Sequence, residues 1–114
     1  MSNKYKIGYY YERKVKKILE KDGYDAWRTP GSHSPIDIIA INEKGEIKLI
    51  QVKKNKKEID IKNIDYIDLH ELYNLSKKYK DTKNVEIELW IFTNDKLKIY
   101  KKEDLLKLKD IISL

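Results

Sequence analysis

The chain has 114 residues, 40% hydrophobic and 39% charged, which is the length of one domain and too short for two ordinary ones. It has no cysteine, which excludes a disulfide scaffold, a thiolate zinc site and a cysteine nucleophile; no apolar run approaches the roughly 18 residues of a membrane span. Lys and Arg number 25 against 19 Asp and Glu, a net charge of +6; this favours a polyanionic partner such as nucleic acid, or else a lysine-rich surface reflecting genome composition or a hot habitat.

Residues 8–22 pattern as a helix. At about 100° per residue, Tyr11, Val15, Ile18 and Leu19 share one apolar arc, and Lys14, Lys17 and Lys21 lie on another side. Glu12 falls about 20° from Leu19 on the wheel, at the rim of the buried face. Gly23 is a natural stop. A strand follows over 24–29, then a punctuated loop, Pro30-Gly31-Ser32-His33-Ser34-Pro35. Residues 36–42 form a strand that is apolar on both faces, as in a buried central strand, and Asp37 interrupts it. Glu43-Lys44-Gly45 is a tight turn, 46–53 the partner strand, and 53–58 an exposed charged turn. Residues 64–79 make a second helix, with one apolar face of Ile64, Ile67, Leu72, Leu75 and Tyr79 and another of Tyr66, Leu69 and Tyr73. Strands follow at 85–93 and 96–100, and a last helix at 103–112. The order αβββαββα predicts a single α/β (mixed α+β) domain over residues 1–114 with a sheet as its spine. With no secretory apolar stretch near the N-terminus, a cytoplasmic, intracellular location is expected.

The hairpin sets up a chemical site. A three-residue loop with Gly45 in the left-handed slot pairs Asn42 with Glu46, and therefore Asp37 with Gln51. Opposed residues have Cβ atoms about 4.5–5.5 Å apart on one face, and Lys53, two residues on, shares that face. A carboxylate and an amide oxygen are hard ligands suited to Mg²⁺. A cation so placed polarises a phosphodiester, and Lys53 would stabilise the charge that develops. Glu12 is placed to serve as a further ligand. By spacing alone, the same three residues also fit a structural Asp37–Lys53 ion pair with Gln51 hydrogen-bonded beside it.

Four blocks in order, Gly8-Tyr9-Tyr10-Tyr11-Glu12-Arg13, Arg28-Thr29-Pro30-Gly31-Ser32, Pro35-Ile36-Asp37 and Gln51-Val52-Lys53, resemble the archaeal Holliday junction resolvases of the PD-(D/E)XK nuclease superfamily. Thirteen residues separate Asp37 from Gln51, a usual spacing in that superfamily. The resemblance is dense over residues 8–54 and rests on element order beyond them. It implies a restriction-endonuclease-like core and a homodimer that nicks two strands of a four-way DNA junction, with Mg²⁺ as cofactor or Mn²⁺ in its place. No membrane or small-molecule substrate is implied. Asp37 matches the metal-binding carboxylate, Lys53 the catalytic lysine and Glu12 the helix-borne acid. Arg13 and Arg28 match DNA-contacting basic residues, and Ser32 the loop serine.

One departure stands out: Gln51 occupies the place of the usual glutamate. Either Glu12 restores the charge and the enzyme is active, or only DNA binding survives. A related nuclease acting on duplex, flap or single-stranded DNA is a further reading. His33 sits beside the site as a phosphate contact, whereas His70 has no metal-spaced partner. Lys54, Lys56 and Lys57 extend a basic patch from Lys53 that suits DNA. Tyr9 and Tyr10 are available for stacking or surface, and Tyr11 for the core. Trp90, Phe92 and the Tyr66–Leu69–Tyr73 face are the expected dimer contacts.

Overall fold

The computed structural model describes residues 3–29, 34–55, 66–94 and 96–110. Helix α1 (Asn3–Lys21) opens the fold, five positions earlier than the apolar periodicity suggests. It stops where Gly23 adopts φ +88°, a left-handed conformation that costs glycine little. Three strands follow, β1 (Tyr24–Arg28), β2 (Ile38–Asn42) and β3 (Ile47–Asn55). Helix α2 (Tyr66–Lys78) then leads to β4 (Val85–Thr93) and β5 (Lys96–Tyr100). The last element is shorter than the predicted 103–112 helix: α3 (Lys102–Leu106) gives way to a 3₁₀ turn at Lys107–Asp110. The αβββαββα order is as read from the sequence.

The five strands lie in the order β1-β2-β3-β4-β5. Only β3 and β4 run parallel, which requires a crossover connection, and α2 lies on it. The β2–β3 hairpin has the predicted register, with Ile38 opposite Ile50 and Ile41 opposite Ile47. Its turn closes through Gly45 N donating to Asn42 O at 3.0 Å. Gly45 is at φ +81°, a region in which any other side chain would be strained. The Asn42 side chain accepts the amides of Lys44 and Glu46 at 3.1 and 2.9 Å. Strand β3 continues to Asn55, so residues 53–55 belong to the sheet rather than to an exposed turn.

Period-two alternation divides the sheet between two cores. Val15 and Leu19 of α1 pack with Ala26, Ile38, Ala40, Ile50, Trp90 and Phe92 on one face. Leu69 and Leu72 of α2 and Leu105 of α3 pack with Ile87, Leu89 and Ile91 on the other. Ile18, expected in the apolar arc of α1, is exposed, because the contact line runs through Val15 and Leu19 and leaves it at the margin. Strand β2 is not covered on both faces. Ile39 is 40% exposed, and its β1 neighbour Trp27 is 55% exposed. Helix α2 covers β4 rather than the β1–β2 half of the sheet.

Trp90 and Phe92 are 2% and 3% exposed. They are core residues under α1, not dimer contacts; Phe92 packs against Tyr11 with the rings tilted by 41° and centroids 4.9 Å apart. Leu69 is likewise buried against α2's own sheet face. Glu88 is buried beside Trp90, whose indole donates to it at 2.8 Å, and Lys48 lies 3.2 Å from its other oxygen. Among the described residues, no helix is long and apolar enough to cross a membrane.

Phe92→Ala is expected to destabilise the isolated chain by about 3–5 kcal/mol, the cost of a core aromatic truncation. Chemical denaturation measures it. A loss below about 0.5 kcal/mol, the usual range for surface positions, would return Phe92 to the surface.

Candidate active site

The site lies where β2 parts from β3. Asp37 is the last residue before β2, and its backbone is held from both sides. Its N–H donates to Ile50 O at 2.8 Å, and its carbonyl accepts from Thr29 N at 3.0 Å. The Thr29 hydroxyl also donates to Ile36 O. The next inward-facing amide on β3, that of Val52, has no strand backbone to meet. It donates instead to Asp37 Oδ2 at 2.8 Å. One carboxylate oxygen is therefore fixed by the sheet, and the ring of contacts orients the other.

The paired register runs from Ile41–Ile47 to Ile38–Ile50 and stops one residue short of Asp37 and Gln51, which follow at the fork. Gln51 is 5% exposed and its Oε1 has no hydrogen-bond partner. An unsatisfied buried amide oxygen is costly, typically about 1–3 kcal/mol, and calls for a ligand or a function. Lys53 follows on the same face of β3. Its ammonium is bound by the Asp68 carboxylate from the first turn of α2. Asp68 carries no sequence motif; only its place at the start of the crossover helix, 15 residues beyond Lys53, could have pointed to it.

Helix α1 contributes Glu12, which accepts from Arg28 Nε at 2.8 Å. The Arg28 guanidinium also lies 4.3 Å from the Tyr9 ring centroid. Glu12 and Arg28 thus meet beside the site as a pair. Arg13 is exposed on the same helix and lines a shallow groove with Tyr10, Lys14 and Lys17. Lys54 does not continue the face of Lys53. Alternation turns it to the α1 side, where its ammonium stands 5.5 Å from the Tyr11 ring. Ser32, His33, Lys56 and Lys57 lie outside the described residues. His70 is half-buried on α2.

Electrostatics single out Asp37. Burial pushes its carboxyl from the ordinary 3.8 up to about 6; the Val52 hydrogen bond opposes this, Glu12 and Asp68 add to it, and Lys53 opposes it. Glu12, Lys53 and Asp68 are therefore all within electrostatic reach of one carboxylate. Among the described residues, no three acidic or histidine side chains form a ready metal cage. That does not conflict with Mg²⁺, which is typically bound by one or two carboxylates and otherwise keeps waters and substrate phosphates. The donors present, Asp37 and the orphaned Gln51 Oε1, are hard oxygens that fit such an ion.

The sequence profile of the archaeal Holliday junction resolvase (Hjc) family matches residues 3–113. Over 57 residues the chain is 39% identical to the crossover junction endodeoxyribonuclease Hjc of Methanocaldococcus jannaschii. That stretch is 50% of this chain and 41% of the relative, so the match spans less than half of the relative's length. The fold is similar to that of Hjc from Archaeoglobus fulgidus, a Holliday junction resolvase from an archaeal hyperthermophile. The TM-score is 0.64 at 20% identity, covering 84% of this chain and 73% of that one. At that identity the likeness is one of fold.

Between pH 4 and about 6 the folded chain retains a proton on Asp37 that the unfolded chain has released. Stability therefore falls as pH rises through this window, and Asp37→Asn removes the fall. In thermal unfolding, the advantage of the variant over the parent is expected to be larger at pH 8 than at pH 4. An advantage equal at both pH values would contradict the raised carboxyl.

Proposed function

Because the chain belongs to the archaeal Holliday junction resolvase family, we propose that it cuts four-way DNA junctions by metal-assisted phosphodiester hydrolysis. The observation that carries this reading is a desolvated carboxylate within electrostatic reach of a lysine, with a buried amide oxygen that has no partner two residues before that lysine on β3. Mg²⁺, or Mn²⁺ in its place, would be held by Asp37 and Gln51 and would supply positive charge to the scissile phosphate.

The chain's own groups do the rest. The Val52 amide fixes one oxygen of Asp37 and leaves the other for binding. Lys53, held by Asp68, offers a cation where negative charge develops on the phosphate. Glu12 fixes Arg28 beside the site, where its guanidinium suits a phosphate. Arg13 with Lys14 and Lys17 lines a groove on α1 that suits the backbone of a DNA arm, with Lys54 on the same side of the sheet. Ser32, His33, Lys56 and Lys57 complete the DNA contacts in this reading. Glu12 acts through Arg28 and, by its charge, on Asp37, rather than as a lone ligand.

A second reading is a DNA-binding module with weakened chemistry. It is favoured by one observation, the neutral Gln51 at the centre of the site. Cleavage assayed with and without Mg²⁺ separates the two readings.

A four-way junction has near two-fold symmetry, which a C₂ dimer would match with two sites. With Trp90 and Phe92 in the core, the uncovered strip of Trp27, Ile39 and Ile41 is the apolar surface that a second copy would cover.

Asp37→Ala is expected to bind a synthetic four-way junction about as well as the parent and to cut it at least about a hundredfold more slowly. Gel-shift and cleavage assays on the same preparation measure both. Parent-like cleavage would remove the assigned chemistry, and preferential binding of linear duplex in competition would move the substrate to another class of DNA.

Sedimentation equilibrium is expected to give twice the 13.7 kDa chain mass and to shift toward the single-chain mass for Trp27→Glu. A parent that sediments at the single-chain mass would contradict the dimer.

A further inference from the structure

Asp68 belongs to no motif of the sequence, yet the topology delivers it to the site. Strand β3 ends at Asn55, and the parallel partner β4 starts at the opposite end of the sheet. The crossover helix α2 must therefore begin at the end where β3 finishes. Asp68 lies in its first turn. Its carboxylate binds the Lys53 ammonium, and both side chains are partly buried.

The charges at the fork make this contact consequential. Asp37 carries one negative charge and Lys53 one positive. Gln51 carries none, although its buried Oε1 has no partner. The Glu12 carboxylate is occupied by Arg28. Without Asp68, the Asp37–Gln51–Lys53 trio would be neutral overall, and a divalent cation bound between the two oxygens would face an uncompensated ammonium. With Asp68 the group carries a net negative charge. The charge of Asp68 also acts directly on Asp37.

We propose that Asp68 is a positioning residue of this site: by holding and neutralising Lys53, it lets Asp37 and the uncharged Gln51 accept a divalent cation. Asp68 acts through Lys53 and need not touch the ion. The inference rests on the cation site proposed above and adds a specific consequence: a negative charge at position 51 makes Asp68 dispensable for cation binding, because either carboxylate offsets Lys53.

The test needs no DNA. Mn²⁺ is titrated into the full chain and the free ion is read by electron paramagnetic resonance, with near-UV circular dichroism confirming that each variant is folded. Asp68→Asn is expected to weaken Mn²⁺ binding by about 10–100-fold, the usual loss when a group supporting a metal ligand is removed. Asp68→Glu, which keeps the charge, is expected to stay near the parent. The double variant Gln51→Glu with Asp68→Asn is expected to return to within a few-fold of the parent, a rescue that a purely structural role would not produce. Unchanged affinity in Asp68→Asn, or no rescue in the double variant, would overturn the proposal. Asp37→Asn distinguishes the two levels: if it too leaves Mn²⁺ binding unchanged, the cation site itself fails, and if it alone abolishes binding, only the role of Asp68 fails.

Discussion

The hydrogen bond from the Val52 amide to the Asp37 carboxylate is the constraint around which this molecule is arranged. Strand β2 begins at Ile38 while β3 runs on to Asn55, so one strand leaves the other and the Val52 amide of β3 has no β2 backbone to meet. That amide is satisfied by a side chain instead. That exchange draws a carboxylate into a partly buried position and holds one of its oxygens. It also explains why a polar residue interrupts an otherwise apolar stretch: Asp37 ends the β2 ladder as much as it equips the site.

Around that carboxylate, charged groups are matched in pairs. Arg28 is set against Glu12 from α1, and Lys53 against Asp68 from α2. The two helices cover opposite faces of the sheet, and each sends one acid to the same fork. The pairs hold basic side chains in place, which in the proposed reading would lower the ordering cost of binding a phosphate. Asp37 itself has no such cationic partner at hydrogen-bond distance in the described structure, and its environment resists ionisation. A divalent cation would relieve that resistance. The same electrostatics that resist ionisation of Asp37 would favour the ion, a trade of stability for function.

Much of this was legible in the sequence because it depends on local chemistry. Glu43-Lys44-Gly45 specifies a turn, the turn specifies the register, and the register pairs Ile38 with Ile50, one residue from Asp37 and Gln51. Alternation along β4 marks Ile87, Leu89 and Ile91 as one face. Alternation cannot say what covers a face. Ile39 and Ile41 read as buried because they are apolar, but α2 lies over the other half of the sheet and leaves them in solvent. Trp90 and Phe92 read as a contact surface for the converse reason, since nothing local shows that α1 reaches across to cover them. The run from Lys53 to Lys57 reads as one patch, yet in a strand adjacent lysines point to opposite faces, and Lys54 belongs to the α1 side. Asp68 was illegible because its role comes from where a crossover helix must start, a property of topology rather than of neighbouring residues.

The most direct test of the account is to incubate the purified chain with a synthetic four-way junction, labelled on each strand in turn, with and without Mg²⁺, and to map every cut. The account predicts paired cuts on opposing strands, placed symmetrically about the branch point and present only with the cation. Cuts that do not depend on the cation, or a junction bound but left intact across Mg²⁺ and Mn²⁺ concentrations, would contradict a hydrolytic site at the β2–β3 fork.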